Sequence, residues 1–329
     1  MASQKNKFLF MLSQIRDSKY FEKASEFSLA IVFLFEVLIF SQLSPFFFSA
    51  ENLLNVTLQA SITAIIAAGM TFVILTAGID LSVGSLVAFA GVLTASLLKI
   101  NLPVYLVFPI ALLGGILFGV VSGGIAGVFV TKFKITPFIV TLALMTIWRG
   151  ASFVYTEGRP VWELPDAFSF LGGGRILGIP FPTIIMVVVF VISHIVLTKT
   201  KFGRYVYAVG GNLEAARLAG INTNFILTTV YIISGVLSAI SGILLASRVN
   251  SGQPNAGLMY ELDVIAAVVV GGTSLFGGRG TIIGTFIGAM LIAVLKNGLN
   301  LLNVGSYIQQ IVVGVVILLA VLLDQLRQK

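Results

Sequence analysis

The sequence contains no cysteine and a single histidine, His194, in 329 residues. Disulfide bonds, thiolate metal sites and cysteine nucleophiles are therefore excluded, and one histidine disfavours a histidine-based metal site. Charged residues are also scarce, at 10 % of the chain, whereas an ordinary soluble domain carries about 25 %. The sequence predicts neither a metal site nor a cofactor.

Apolar residues, by contrast, make up 57 % of the chain. A water-soluble fold of this length could not cover so much apolar surface, so the sequence predicts a protein embedded in the lipid bilayer. Lys and Arg (20) exceed Asp and Glu (13), which gives a net charge of +7. In a membrane protein this excess indicates cytoplasmic loops that face anionic lipid, rather than a nucleic-acid partner.

The apolar stretches predict an all-α, polytopic integral membrane protein with about ten transmembrane helices. A spanning helix needs about 20 apolar residues. A tenth stretch, 263–276, is short for a span and could be tilted, re-entrant or buried by its neighbours. Counting it places more Lys and Arg in cytoplasmic segments, so both termini are predicted to be cytoplasmic. The nine clear candidates are 27–43, 57–77, 83–98, 103–130, 137–155, 181–198, 225–246, 282–301 and 306–323.

This topology divides the chain into a cytoplasmic leader, 1–26, a transmembrane domain, 27–324, and a cytoplasmic tail, 325–329. The leader has no apolar core followed by a small-residue cleavage site, so no cleaved signal peptide is predicted. The longest cytoplasmic segment between spans is 198–224, and the long outer loops are 156–180 and 247–260.

The 34 glycines cluster within the predicted helices, where small residues allow close helix packing. The sequence leaves open whether the chain also contains a parallel internal repeat. An offset of 200 residues aligns Ile65 with Ile265, Ala67 with Ala267, Gly78 with Gly278, Gly84 with Gly284, and Ser85 with Thr285.

The cytoplasmic segment 198–224 contains two alanines on a predicted short helix that a glycine ends. Glu214 and Arg217 are three residues apart and share a helix face. Such a compact knob can enter a groove on another protein, although a solvated loop between two spans is the alternative. The residues concerned are Glu214, Ala215, Ala216, Arg217, Gly220 and Ile221.

The pattern Glu-Ala-Ala, three residues, then Gly resembles the coupling signature of bacterial ATP-binding-cassette importer permeases. Three further segments resemble the ribose/xylose/arabinose branch of the monosaccharide permeases: 78–85 (GIDLSVGS), 261–275 (ELD followed by GGTSL) and 297–302 (NGLNLL). The resemblance extends from about Ser44 to Asp324. It implies a sugar-importing permease subunit, with ribose as the expected sugar, that works with partner ATPase subunits, a soluble sugar-binding protein and a second permease subunit.

Candidate residues for the translocation path are Asp80, Ser82, Ser85, Asn297 and Asn300. Glycines flank the segment that holds Asp80, Ser82 and Ser85 and let the backbone leave a helix. The carboxylate and the two hydroxyls of these residues can bind sugar hydroxyls. The alternative is a tight turn in which Asp80 caps the next helix. Asn297, Asn300 and Asn303 recur every third residue and are predicted to share a helix face that meets protein or water.

The two outer loops carry the candidates for docking of a binding protein. Trp and Arg are frequent interface anchors, although an interfacial Trp beside solvated charges is an equal alternative. The candidates are Arg159, Trp162, Glu163, Asp166, Arg248 and Gln253.

The glycine run 271–279 lacks the Lys and Ser or Thr that follow the second glycine of a phosphate loop. The chain is therefore predicted to have no ATP site of its own, and to be driven by a partner ATPase or by an ion gradient. An ion-coupled secondary sugar carrier is the alternative, with Glu36 as the one carboxylate plainly within a span. A channel remains open, and a membrane enzyme is disfavoured because no His, Asp or Cys cluster is evident.

Overall fold

A computed structural model describes residues 19–328 and the side chains of residues 29–322. Most of the predicted leader therefore lies outside the described residues, although 19–26 form part of the first helix. The described helices and strands are α1 Lys19–Leu43, α2 Ala50–Leu75, α3 Val83–Leu98, α4 Val104–Thr131, α5 Pro137–Thr156, α6 Asp166–Gly173, β1 Arg175–Ile176, β2 Ile179–Pro180, α7 Phe181–Lys199, α8 Lys201–Gly211, α9 Leu213–Leu218, α10 Thr223–Arg248, α11 Tyr260–Val270, α12 Ile282–Leu301 and α13 Ser306–Gln328.

Within the described residues, six helices are long and apolar enough to cross a membrane: α2, α4, α5, α7, α10 and α12. Shorter apolar stretches lie in α1, α3 and α13, at Leu29–Leu43, Val83–Leu98 and Ser306–Leu322. These nine helices correspond to the nine clear candidate spans. The prediction of an all-α, polytopic membrane protein is confirmed.

The tenth predicted span, 263–276, is wrong in its bounds. The helix there, α11, has 11 residues and ends at Val270, so it is only about 16 Å long. Residues 271–281 form turns that contain four glycines with positive φ. Val264 and Ala266 are fully buried, so neighbouring helices rather than lipid cover this short helix, as irregular backbone at membrane depth requires.

The core surrounds α2, which is buried along most of its length from Ala60 to Leu75. Glycines on α4 allow the backbone of α10 to come close. A Cβ added at Gly119 would lie 2.5 Å from the carbonyl oxygen of Gly235, and one at Gly127 would lie 2.6 Å from the Cα of Thr228. Close packing is thus the physical role of these glycines, as small residues allow in lipid.

Contacts in two parts of the chain correspond to each other around the close approach of Gly84 and Gly257, as an approximate two-fold relation would require. A Cβ on either glycine would overlap the carbonyl oxygen of the other, so the contact is reciprocal. α2 and α10 also cross in opposite directions, since Gly69 approaches Ser234 while Ser241 donates a hydrogen bond to the carbonyl of Ile62. If α2 and α10 are corresponding helices, their opposite directions make the repeat an inverted one.

The order of the helices follows the same symmetry. α3 packs on α4, α5 and α10, and α11 packs correspondingly on α12, α13 and α2. The repeats are therefore α2–α5 and α10–α13, with Gly84 equivalent to Gly257 at an offset of 173 residues. The parallel repeat at an offset of 200 is not the observed symmetry, because it pairs the 26-residue α2 with the 11-residue α11.

Candidate functional site

The junction between α2 and α3 is built around the carboxylate of Asp80. One oxygen, Oδ1, accepts hydrogen bonds from the backbone N–H of Ser82 at 3.0 Å and from its hydroxyl at 2.6 Å. The other, Oδ2, accepts one from the hydroxyl of Ser234 on α10 at 2.8 Å. Asp80 is 1 % exposed. Its three donors join the start of α3 to the middle of α10.

Three of the predicted path residues are brought together at this junction. The hydroxyl of Ser85 donates to the carbonyl of Ser82 at 2.8 Å, and Asp80, Ser82 and Ser85 are all buried. Asp80 accepts from the backbone N–H of Ser82, two residues on, which is an Asx-turn, and α3 itself has no side-chain cap hydrogen bond. In this conformation their polar atoms bind one another and protein neighbours.

The predicted asparagines lie elsewhere, at the end of α12. Asn297 exchanges two hydrogen bonds with Asn52 of α2, at 3.0 and 2.9 Å. Asn300 accepts a hydrogen bond from Gln309 of α13 at 2.7 Å. The shared face extends no further, because α12 ends at Leu301 and Asn303 adopts φ +56°. The inclusion of Asn303 on that face was wrong. The side-chain amides of Asn297 and Asn300 each form hydrogen bonds to a neighbouring helix.

A cavity of about 180 Å³ lies between α3 and α10, under the segment that joins α10 to α11. Its polar lining consists of Ser251, Gln253 and Tyr260, and α3 contributes an apolar wall that includes Val87 and Ala88. Gln253, predicted to contact a binding protein, is half-buried in this lining. Its Nε2 atom donates to the hydroxyl of Ser251 at 3.2 Å.

Ionisable residues within the helix bundle are paired around the same segment. Arg149 of α5 donates to the carbonyl oxygens of Pro254 and Ala256, at 2.9 and 2.7 Å. Lys296 of α12 forms an ion pair with Asp263 in the first turn of α11, at 2.5 Å. Charges at this depth persist when they have partners, and both pairs hold the start of α11 in place.

The two predicted outer loops, 156–180 and 247–260, meet to form one face, which we call the loop face. Val161 and Gly252 exchange two backbone hydrogen bonds of 2.8 Å. Glu163 forms an exposed ion pair with Lys99 at 3.7 Å. Five of the six docking candidates are exposed on the loop face: Arg159, Trp162, Glu163, Asp166 and Arg248.

The predicted coupling residues form a compact helical knob, which we define as residues 212–221. Asn212 caps α9 by accepting from the N–H of Ala215 at 2.9 Å. Gly220, with φ +82°, ends it, as the N–H groups of Gly220 and Ile221 bond to the carbonyls of Arg217 and Ala216. This glycine-terminated motif is a common helix end. The predicted pair of Glu214 and Arg217 is formed, at 3.2 Å.

The knob is anchored to the membrane bundle by its apolar residues. Ala216 is 4 % exposed, and Ile221 packs against the main core cluster. α9 packs against α8 and α10, so the knob is not a loop detached from the bundle. The outward side remains free, with Leu218 87 % exposed and no atom within 4 Å of a Cβ built on Gly220.

A family model described as the permease component of the branched-chain amino acid transport system matches residues 52–321. The chain belongs to this permease family. It is a multi-pass protein of the bacterial inner membrane and a permease subunit of an ATP-binding-cassette importer. No solved structure matches the chain significantly.

Several curated permeases are similar to this one over nearly their whole length. The ribose import permease of Haemophilus influenzae is 51 % identical over 298 residues, which cover 89 % of this chain and 91 % of the relative. That of Bacillus subtilis is 50 % identical over 291 residues, or 88 % and 89 %. The D-allose transport system permease of Escherichia coli is 38 % identical over 329 residues, or 100 % and 97 %.

Sequence reasoning missed the permease residues that act across the repeats. Ser234 completes the Asp80 cluster, Asn52 completes the Asn297 pair, and Arg149 clamps the segment above the cavity. No pattern in the sequence pairs Ser234 with Asp80, because the offset of 173 matches only small residues such as Ser61 with Ser234 and Gly84 with Gly257. No pattern in the sequence pairs Arg149 with two backbone carbonyls.

Glu36 of α1 is the exception to the pairing of ionisable groups. Both of its carboxylate oxygens are buried, and neither has a hydrogen-bond partner in the described part of the chain. A search of the same residues finds no group of three His, Cys, Asp or Glu side chains that could hold a metal ion.

Proposed function

We propose that this permease carries ribose across the membrane, receives it from a soluble binding protein and is driven by a partner ATPase. The observation that carries the proposal is the similarity, at about half of all positions and nearly full length, to ribose import permeases from three genera. The permease catalyses no covalent step in this scheme. A second permease subunit completes the pathway, and lipid surrounds the pair.

The knob supports the proposed contact with the ATPase. It presents Leu218 and the small residues Ala215 and Gly220 on its exposed side, while Ala216 and Ile221 anchor it to the bundle. Motion of a partner bound here would therefore be transmitted to α8 and α10. The ATPase side is the cytoplasm, and the loop face is where we place the binding protein.

The glycine run 271–279 supports the proposal that ATP is hydrolysed by another subunit. The N–H of Gly278 donates to the carbonyl oxygen of Leu75 at 2.9 Å. The N–H of Ser274 donates to the carbonyl oxygen of Arg279, also at 2.9 Å. Backbone groups that would bind phosphate in a phosphate loop are thus used within the bundle. This packing of the run against the end of α2 supports a nucleotide site on a partner subunit.

An ion-coupled carrier is the second candidate, and the unpartnered carboxylate of Glu36 is the observation that favours it. Buried carboxylates within spans often serve as proton or cation sites. In that case Glu36→Gln would abolish uptake, and uptake would persist without ATP. The ATPase-driven scheme predicts instead that uptake stops without ATP and survives this substitution.

The decisive experiment places bulk at Gly220. A side chain there would project into open space, although φ +82° makes any residue but glycine strained by about 1 kcal/mol. Gly220→Trp is expected to yield an inserted permease that no longer retains the ATPase in a pull-down and no longer takes up ribose. Gly220→Ala has the same strain without the bulk and should keep both activities. Full uptake by Gly220→Trp would contradict the assignment of the knob.

A further inference from the structure

Residues 175–180, between α6 and α7, form a two-stranded hairpin whose first five residues are exposed. Leu177 and Gly178 form the two-residue turn between β1 and β2. Leu177 is 98 % exposed, and Ile176 and Ile179 are 43 % and 44 % exposed. Leu177 also has φ +51°, a left-handed conformation that favours glycine or asparagine in such a turn. Packing within the described part of the chain does not explain an apolar tip in this conformation.

The base of the hairpin is fixed to the two helices that flank it. The N–H of Phe181, the first residue of α7, donates to the carbonyl oxygen of Gly174 at 2.9 Å. The ring of Phe181 also packs against that of Phe170 of α6, with centroids 5.5 Å apart. Pro180 is buried at the end of β2. The level of the hairpin relative to the bilayer is therefore set by where α7 begins.

Contacts between α2 and α7 give that level. Thr183, two residues beyond the start of α7, donates to Thr57 of α2 at 3.2 Å. Phe202, just after α7, packs against Phe72 further along α2, so the two helices run in the same direction. At 1.5 Å per residue, α7 begins level with a point about 3 Å before Thr57. Because Thr57 starts the apolar stretch 57–77, the base of the hairpin lies at the outer edge of the hydrocarbon region.

The hairpin is too short to leave the interfacial layer of the bilayer. Each strand has two residues, so the tip lies at most about 7 Å from the base, at about 3.4 Å per residue. The polar layer on each side of the hydrocarbon core is about 5–8 Å thick. Ile176, Leu177 and Ile179 are therefore at the depth of the lipid head groups or the ends of the acyl chains, whichever way the hairpin leans.

The charge on the hairpin suits a phospholipid surface. Arg175, the first residue of β1, is exposed. An arginine at a membrane interface can lay its aliphatic stem on apolar surface while its guanidinium binds phosphate. Apolar side chains beside a basic residue are typical of segments that lie in the interface. By contrast, the earlier part of the same outer loop exposes three acidic residues that require water: Glu157, Glu163 and Asp166.

We propose that residues 175–179 are an interfacial anchor, which inserts its apolar tip into the outer leaflet of the bilayer and binds a lipid phosphate through Arg175. The anchor fixes the depth at which α7 enters the membrane. It also divides the outer loop 156–180, so that the part before α6 is left to face water and a soluble partner. This contact needs neither sugar nor ATP and does not rest on the proposed function.

The test places a nitroxide label at position 177, which the absence of native cysteine makes specific. Leu177→Cys is labelled in the full chain and reconstituted into vesicles of phosphatidylethanolamine and phosphatidylglycerol. Power-saturation EPR compares collisions of the label with oxygen, which concentrates in lipid, and with a water-soluble nickel chelate. Glu163→Cys on the same loop, at a side chain that is 88 % exposed, is the matched control. The ratio of oxygen to nickel collisions should be several-fold higher at position 177 than at position 163.

A second variant separates insertion of the hairpin from insertion of the label alone. Ile176→Ser and Ile179→Ser, added together to the labelled Leu177→Cys chain, remove the apolar neighbours of the label. The ratio at position 177 should then fall to that at position 163. An unchanged ratio would mean that the label inserts by itself, and it would overturn the anchor.

Other occupants of the hairpin give different results. If nickel reached position 177 as readily as position 163, the anchor would be overturned, and protection that appeared only with added sugar-binding protein would assign the hairpin to that partner. Low collision rates with both reagents would mean that protein, such as a second copy of the permease, covers the hairpin, and would also overturn the anchor. Because the measurement requires neither ATP nor uptake, its outcome is independent of the Gly220 experiment.

Discussion

The two junctions that follow α2 and α10 begin alike and then diverge. Ala77 and Asn250 occupy equivalent positions and both have positive φ, at +59° and +49°. The next N–H, of Gly78 in one repeat and Ser251 in the other, donates five residues back at 3.0 Å in each. Two residues after these N–H groups, at the equivalent positions Asp80 and Gln253, the first junction is sealed and the second borders a cavity.

The difference shows how one turn can serve two purposes. In the first repeat a carboxylate gathers three donors, two from Ser82 and one from Ser234, and fixes α3 against α10. In the second an uncharged amide makes one side-chain hydrogen bond of 3.2 Å, to Ser251. The first junction is built as a rigid support around a carboxylate of its own, whereas the second is held through its backbone by Arg149 of the first repeat.

Asp80→Ala should have the largest effect on stability. It would leave two buried hydroxyls and a backbone N–H without their acceptor, and we expect the free energy of unfolding to fall by about 3 kcal/mol or more. The measurement is the thermal unfolding of the detergent-solubilised permease. Asp80→Asn, which retains one carbonyl acceptor, should lie between the native protein and Asp80→Ala. A native unfolding temperature for Asp80→Ala would mean that the first junction is not a rigid support.

Gly84→Ala tests the axis between the junctions. The new Cβ would overlap the carbonyl of Gly257 and lie 2.6 Å from a carboxylate oxygen of Glu261. Overpacking of this kind costs about 1–3 kcal/mol, and here the clash is with backbone that cannot rotate away. The matched control is Gly124→Ala, within α4, where no atom lies within 4 Å. It should be neutral or stabilising by up to about 1 kcal/mol, and equal losses for both variants would remove the argument for a close axis contact.

Gln253→Ala should have the smallest effect on stability, within about 0.5 kcal/mol, because the side chain is half-exposed and weakly bonded. Ribose uptake should nevertheless fall, since an amide of the cavity lining is lost. Parallel unfolding and uptake measurements would show the difference. If Gln253→Ala destabilised the protein as strongly as Asp80→Ala, the two junctions would be equivalent supports and the comparison would fail.

The sequence was sufficient for the spans and for the knob. Long apolar runs identify membrane helices because the bilayer demands them, and the alanines before Gly220 predict the short helix and its end. The bounds of α11 were out of reach because Val264 and its apolar neighbours continue in sequence to Leu275, while the helix stops at Val270. Hydropathy measures apolar character and does not reveal where neighbouring helices replace lipid.

The candidate site was only partly predictable for a related reason. The clustering of Asp80, Ser82 and Ser85 follows from their adjacency in the chain. The partners Ser234, Asn52 and Arg149 lie far away in sequence, and their contacts depend on the packing of the two repeats. An offset of 200 matched small and apolar residues that are common in any membrane helix, so it did not reveal that packing.

The glycine face of α4 also has a consequence for the order of synthesis. Gly119, Gly123 and Gly127 fit the backbone of α10, yet α10 leaves the ribosome only after α5–α9 have been made. Until α10 is inserted, the first repeat lies in the lipid with the glycine face of α4 exposed. Such partly assembled states are prone to misassembly. A chain cut short before Thr223 would never cover that surface, and the membrane proteases that survey unassembled helices should remove it.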